Sequence, residues 1–352
     1  MSDKNEVTLR VGGNIHAGWT SVEITRSLET ISGAFSLGVT EQWPGHQNRF
    51  QVAPGMSCEL AIGGEVVITG HVDDVDFSYS DSEHSVSVRG RDATGDLVDC
   101  SALSGTGHWT SVSLNQVAAD ICAPFGIKVA SNVPDTAKVV PEHHIQLGET
   151  AHECLERLAR VYGVMMMSDG KGGLLLTRAG DGGAAAGLRL GGNIKAASAS
   201  LSDRERFNRY IILGQSTATD AISVTVASAC HAEATDAGIT RYRPLVVIAE
   251  DTIDPSWYQR RATWEAANRA GKSRRSAVTV QGWRDADGAL YRPNTMVTLD
   301  DDWTGMHERM LIAKVKFSLS DQGTLTELTL TRREAFELVP PATTLYAAGT
   351  GA

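Results

Sequence analysis

Histidine, cysteine and acidic side chains are the residues that could do chemistry, and in this sequence they fall into a few clusters. His143-His144 follow Glu142, and His152-Glu153-Cys154 lie a little further on, a mix of hard and soft donors of the kind that holds zinc. A zinc-protease helix needs a second histidine four residues after the first, and here that position is Glu156. Helical spacing puts His152 and Glu156 on one face, which reads as a solvated face. Asp73-Asp74 and Asp300-Asp301-Asp302 could hold a hard cation, yet both runs flank strand patterns near glycine, where acids serve as turn residues. No G-x-S-x-G elbow occurs, and Gly180 to Gly183 lack the strand, lysine and helix that a phosphate loop requires. Trp257, Tyr258 and Trp264 share a predicted helix with Arg260, Arg261, Arg269 and Lys272, with Arg274 and Arg275 just beyond. Basic and aromatic residues together can bind nucleic acid. The spacing fits better a core-facing aromatic stripe with a basic C-terminal end favoured by the helix dipole. The expectation is therefore no catalytic residue, no cofactor or cofactor-binding residue and no metal ligand.

The elements that would position any such group are mostly strands. At 352 residues the chain is long enough for two or three domains. Its 35 glycines, with serine, threonine and aspartate, fill the gaps between short apolar runs, a pattern of many strands and turns. No run approaches the roughly 18 apolar residues of a membrane span, and the start, Met1-Ser2-Asp3-Lys4-Asn5-Glu6, has no apolar segment of the secretory kind. Five scattered cysteines (Cys58, Cys100, Cys122, Cys154, Cys230) form no CxxC pair, so free thiols in a reducing compartment are expected. A formal net charge of −10 argues against a chain that grips nucleic acid phosphates without regard to sequence.

Val7-Thr8-Leu9-Arg10-Val11, Val22 to Thr25, Val66 to Ile68, Val72 to Phe77 and Ser85 to Arg89 alternate as strands, with turns at Gly12-Gly13, Pro54-Gly55 and Gly63-Gly64. Ser113 caps a predicted helix with an apolar stripe of Leu114, Val117, Ala118, Ile121 and Cys122, stopped at Gly126. Thr150-Ala151-His152-Glu153 is a capping box for a second helix that ends at Gly163. A hairpin follows, Val164 to Met167 and Leu174 to Thr177. Gly180 to Ala186 read as a linker. Short strands are expected at Leu188 to Leu190 and Tyr210 to Leu213. A third helix has Asp254 as cap, Pro255 in its first position and Gly271 past its end. Strand alternation then runs from Arg274 to about Arg332, and the residues from Leu338 on are rich in Pro, Ala, Thr and Gly.

Two distant segments look alike. Pro54-Gly55-Met56-Ser57-Cys58-Glu59-Leu60 parallels Pro293-Asn294-Thr295-Met296-Val297-Thr298-Leu299, Phe77-Ser78-Tyr79-Ser80-Asp81 parallels Phe317-Ser318-Leu319-Ser320-Asp321, and Arg91-Asp92-Ala93 parallels Arg333-Glu334-Ala335. The offset is 239 at the prolines, 240 at the phenylalanines and 242 at the alanines. A near-constant offset marks a repeat, so two similar β-barrel-like domains with helical material inserted are expected. Three such chains would present six similar units around a ring, able to meet a sixfold partner on one face and a threefold one on the other.

These blocks carry a resemblance. Gly70-His71-Val72-Asp73-Asp74-Val75, Ser85 to Ala93, Asp96-Leu97-Val98-Asp99-Cys100-Ser101, Gly148 to Arg160, Gly282-Trp283-Arg284 and Leu290-Tyr291-Arg292-Pro293-Asn294, in that order, resemble the baseplate hub proteins of contractile-tailed, Mu-like phages. More distantly they resemble the hub region of type VI secretion spike proteins. The resemblance runs from about residue 7 to about residue 337.

The resemblance implies a structural, non-enzymatic homotrimer whose tube-type domains make a pseudo-hexameric ring around a DNA channel. It implies as partners a tail tube or tube-initiator protein, a trimeric spike and other baseplate proteins, with DNA passing unbound and no stable membrane insertion. Its place would be the virion tail baseplate, assembled in the host cytoplasm. The chain ends soon after the second β region, without a β-helical spike of its own, which favours a hub whose spike is a separate protein. The expected fold class is α+β, mainly β, with two similar β-barrel tube-type domains and an inserted α/β domain. Residues 1–100 would form the first tube domain and 101–182 with about 220–274 a discontinuous α/β domain. Residues 183–219 with 275–337 would form the second tube domain, and 338–352 a tail pinned by a neighbour. An adaptor of a tailocin or type VI machine is the alternative, and a tail-associated cell-wall hydrolase a further one. An acidic channel lining would let DNA slide by repulsion.

Overall fold

Alternation of buried and exposed side chains draws seven strands from the first ninety residues of the computed structural model. It describes residues 4–40, 51–81, 84–137, 139–214, 231–249 and 255–338. The strands are β1 (Val7–Val11), β2 (Asn14–His16), β3 (Ser21–Ser27), β4 (Ala34–Thr40), β5 (Ser57–Ile62), β6 (Glu65–Tyr79) and β7 (His84–Asp92). The longer extended stretch expected across Val66 to Ile68 and Val72 to Phe77 is the single 15-residue strand β6. Gly70 sits where a Cβ would lie 2.0 Å from the carbonyl oxygen of Arg91, so only glycine allows β6 and β7 to meet there.

A mixed unit follows: α1 (Gly95–Asp99), β8 (His108–Ser113), α2 (Leu114–Cys122), β9 (Val129–Ser131), β10 (Val139–His144), α3 (Ala151–Val161), β11 (Met165–Ser168) and β12 (Leu174–Thr177). Both expected caps are present. The Ser113 hydroxyl accepts from Gln116 N–H, and at Thr150 the capping box closes in both directions, Glu153 N–H to the Thr150 hydroxyl and Thr150 N–H to the Glu153 carboxylate. The apolar faces of α2 and α3 close over one core with Leu174 and Leu176 of β12.

The rest of the chain is β13 (Leu188–Arg189), β14 (Ile194–Leu201), β15 (Arg209–Gly214), β16 (His231–Thr235), β17 (Pro244–Ala249), α4 (Pro255–Lys272), β18 (Arg274–Gln281), β19 (Met296–Asp301), β20 (Met306–Ser320) and β21 (Gly323–Thr331). Strands β15, β16 and β17 form a small sheet whose Ile212, Ala232 and Ala249 pack on Trp257, Tyr258 and Ala262 of α4. The cap assigned to Asp254 lies outside the described residues. Gly271 does not stop α4 but lies in its last turn, where a Cβ would come 2.6 Å from the Ala335 amide nitrogen. Its requirement is close approach of another segment rather than termination.

Thirteen strands join in one sheet, ordered β14-β18-β21-β20-β3-β4-β7-β6-β5-β1-β2, with β19 on β20 and β13 on β19. The two β regions are therefore continuous in hydrogen bonding, and one apolar core runs beneath both.

Candidate assembly interface

The repeat read from the sequence is a structural one. β5 and β19 have six residues each, β6 and β20 fifteen each, and β7 and β21 nine each. The long hairpins carry the same β-bulge, between Val72 and Asp74 in one and between Ile312 and Lys314 in the other, which leaves Asp73 and Ala313 as the extra residues. The turns entering β5 and β19 agree too. Gly55 has φ +83° and Asn294 has φ +66°, each directly after a proline, as a turn with a left-handed third residue requires. Asn294 tolerates that conformation because its side chain is fully used: Oδ1 accepts from Gly180 N–H at 2.7 Å, and Nδ2 donates to the Arg178 carbonyl at 2.9 Å.

Three joints hold the parts in fixed relation. The first is the seam between β3 and β20, paired from Ser27–Lys314 to Val22–Leu319. The second is a set of arginines across the two β regions. The Arg284 guanidinium reaches Glu65 at 3.3 Å and the Ile62 carbonyl at 3.4 Å, Arg292 also meets Glu65, and Arg275 meets Glu29. Trp283, next to Arg284, is fully buried, lies edge-on to Phe317, and donates its Nε1–H to the carbonyls of Ser318 and Leu325, each at 3.1 Å. The third joint ties the mixed unit to the first β region. The Ser168 hydroxyl donates to the buried Asp92 carboxylate at 2.5 Å, and Arg26 donates to the Ser168 carbonyl at 3.2 Å. Burial pushes the Asp92 carboxyl up to about 6, and its bond from Ser168 and the charge of Arg26 oppose that rise.

The chemistry weighed on the sequence resolves into structural roles. His143 and His144 pair with Trp109 and His108 across β10 and β8, so period two sends them to opposite faces. His143 is buried with Nε2 3.3 Å from Cys154 Sγ. Burial pushes the Cys154 thiol up to about 12, and burial with the nearby Arg157 pushes His143 down to about 4. A neutral thiol beside a neutral imidazole is not the thiolate pair of a cysteine nucleophile. Burial likewise raises Cys58 and Cys122 to about 12. Cys58, Cys100, Cys122 and Cys154 are free thiols, and Cys230 lies outside the described residues. Glu156 bonds Arg160 at 2.7 Å rather than sharing a ligand site with His152.

Asp73 is held by Arg91 at 2.8 Å, and Asp74 lies 3.4 Å from Arg89. Buried Asp301 accepts from the amides of Trp303 and Thr304, a turn role. Asp300 and Asp302 flank His307 at 2.7 and 3.5 Å. All three side chains face solvent, as a surface ion-pair cluster does. Among the described residues no group of three His, Cys, Asp or Glu side chains is placed to hold a metal. Trp257 and Tyr258 are core residues, half-buried Trp264 donates its Nε1–H to the Glu337 carbonyl at 2.6 Å with the Arg261 guanidinium over its ring, and Arg261 and Arg269 both bond Glu265.

A duplicated hairpin unit sharing one sheet with its copy is a scaffold, and sequence comparison says which one. The chain is 36% identical over 344 residues, 96% of its length and 90% of the relative's, to the baseplate hub protein gp44 of Escherichia phage Mu. This chain belongs to the family of Mu-like phage baseplate hub proteins. Family profiles agree along it: the N-terminal part of Mu phage baseplate assembly protein GpP-like proteins matches residues 6–92, the second domain of gp44-like baseplate hub proteins matches 94–178, and the fourth domain of Mu phage baseplate assembly protein GpP matches 255–339. Among solved structures, the 43 kDa tail protein of prophage MuSo2 from Shewanella oneidensis superposes with a TM-score of 0.82 at 40% identity, covering 95% of this chain and all of that one. A type VI secretion component of E. coli, described as structurally similar to the T4 tail proteins gp27 and gp5, shares the fold at a TM-score of 0.56 and 10% identity, over 95% of this chain and 79% of that one. The hub proteins of this family are structural components and not enzymes, which places the chain in the tail baseplate of a Mu-like phage and relates its fold to the secretion spikes.

Proposed function

We propose that three copies of this hub form a ring of six similar β units that joins the tail tube to a separate spike and surrounds the channel through which DNA leaves. The observation that carries this reading is the duplicated hairpin with its shared bulge, because two near-equivalent units per chain give a threefold assembly a nearly sixfold face. The tube or its initiator would meet the sixfold face and a trimeric spike the threefold one. The lining would be acidic, as the net charge of −10 suggests, and assembly would take place in the host cytoplasm.

The parts divide this work. Residues 1–100 and 183–219 with 275–337 build the ring, except that β15 (Arg209–Gly214) pairs with β16 and β17 and so goes with the 220–274 part. The discontinuous α/β part, 101–182 with about 220–274, acts as two separate units, because its two apolar cores share no residue. The tail assigned to spike or neighbour contact, 338–352, lies outside the described residues beyond Leu338. Light scattering on the purified chain tests the reading. A mass near three times 37.6 kDa is expected, and a monomer at high concentration overturns it.

A further inference from the structure

We propose that the cavity where the three parts of the chain meet binds an organic anion, a carboxylate or phosphate head on an apolar body, with Arg26 and Lys171 holding the head. The site lies within a single chain, so it stands apart from the trimer reading.

The cavity encloses about 650 Å³, within the size range of small-molecule sites. Each part of the chain supplies a wall. Arg26 of β3 and Val67 and Thr69 of β6 come from the first β region, Met167 and Leu175 from the β11–β12 hairpin of the mixed unit, and Tyr291 and Phe317 from the second β region. Val67, Met167, Tyr291 and Phe317 are buried, which makes the inner side apolar. Asp169, Lys171 and Arg292 are exposed at the mouth. Apolar walls with a few charged groups are the usual build of a ligand pocket.

The charges are unevenly satisfied. Glu59, Glu65 and Asp169 line the space, and each is engaged. Asp169 accepts from the amides of Lys171 and Gly173, Glu65 meets both Arg284 and Arg292, and Glu59 lies 3.6 Å from Arg10. Of the three lining cations, only Arg292 has a carboxylate. Among the described residues the Arg26 guanidinium makes a single hydrogen bond, to the Ser168 carbonyl at 3.2 Å, and the Lys171 ammonium makes none. Asp92 stands behind the Ser168 hydroxyl and outside the lining.

The guanidinium is also held in place. The turn between β11 and β12 folds over it so closely that a Cβ on Gly170, at φ +77°, would come 2.9 Å from Arg26 Cζ and 2.8 Å from the Val67 carbonyl oxygen. Burial pulls Arg26 below its ordinary proton affinity, against the charge of Asp92. A cation drawn out of water without a carboxylate beside it is costly to keep. An acid from outside supplies the missing partner, because a guanidinium can donate to two oxygens of one carboxylate or phosphate. The buried Tyr291 and Phe317 rings and Met167 then cover its apolar body.

Titration calorimetry on the full-length chain tests the site. Hydrocinnamate and phenyl phosphate are expected to bind, and hydrocinnamyl alcohol, which keeps the ring and lacks the charge, is expected to give no heat of binding at the same concentration. Arg26→Gln should weaken both acids about tenfold or more, the loss of a charged hydrogen bond. Lys171→Gln removes an exposed ammonium with no partner to lose, so circular dichroism should be unchanged while both acids bind several-fold more weakly; it carries the test if Arg26→Gln fails to fold. The blocked peptide acetyl-Phe-Glu-Leu-amide separates the two sources of such a head. Tighter binding than hydrocinnamate identifies an acidic segment of a partner protein as the occupant, and weaker binding a free small acid. No binding of either acid, an alcohol that binds as well as they do, or unchanged affinity in Lys171→Gln overturns the site.

Discussion

Replacing Trp283 by alanine is expected to lower the stability of the chain by about 4 kcal/mol, the cost of emptying a fully buried aromatic site. Three losses combine there. The indole fills the core of the second β region edge-on to Phe317. Its Nε1–H satisfies two carbonyls, those of Ser318 on β20 and Leu325 on β21. The backbone at this point also aims Arg284 at Glu65 and the Ile62 carbonyl in the other β region. Trp283→Phe keeps most of the volume and loses only the hydrogen bonds, so it should cost about 1–3 kcal/mol. Urea unfolding followed by circular dichroism measures both variants. Equal midpoints for Trp283→Ala and the parent chain would show that the indole is not the plug described here.

The second large effect is a dependence of stability on pH centred on Asp92. Its carboxyl is raised by burial from 3.8 to about 6 in the folded chain, so the folded state takes up a proton at a pH where the unfolded chain stays ionised. In that window the folded state binds more protons, and stability must rise as pH falls. The gain begins near pH 6, is complete below about pH 4, and amounts to about 3 kcal/mol for a two-unit shift. Other carboxylates work in the opposite direction: Glu149 and Asp236 are lowered by their bonds to Arg157 and Arg206 against the effect of burial, and they lose stability on acidification. The readout is therefore the difference between the parent chain and Asp92→Asn, which keeps an acceptor for the Ser168 hydroxyl but does not titrate. The parent should gain on the variant between pH 7 and pH 4.5, and parallel stability curves would show that Asp92 titrates as an ordinary exposed acid.

Local signals in the sequence translated directly into structure where one residue type has one physical use. Ser113 and Thr150 cap helices because their hydroxyls satisfy orphan amides. Pro54-Gly55 and Pro293-Asn294 turn because their second residues accept positive φ. The repeat was legible because offsets survive when side chains drift. β14 was not. Ile194-Lys195-Ala196-Ala197-Ser198-Ala199-Ser200-Leu201 alternates only small residues, alanine with serine, has no β-branched residue after its first, and is extended because β18 holds it. The seam between β3 and β20 joins residues almost 300 positions apart, a distance over which no local pattern speaks. The Asp92–Ser168–Arg26 joint went unread for the same reason. His143 and His144 looked like a pair of ligands, and strand geometry separated them.

The central claim is that this chain is the ring between tube and spike. Electron cryomicroscopy of tails from the phage that encodes it tests that claim most directly. Three copies should lie at the junction of tube and spike, their six long hairpins arranged around the channel with near-sixfold symmetry. A map that puts the chain elsewhere in the baseplate, or in a number of copies other than three at that junction, would contradict the account.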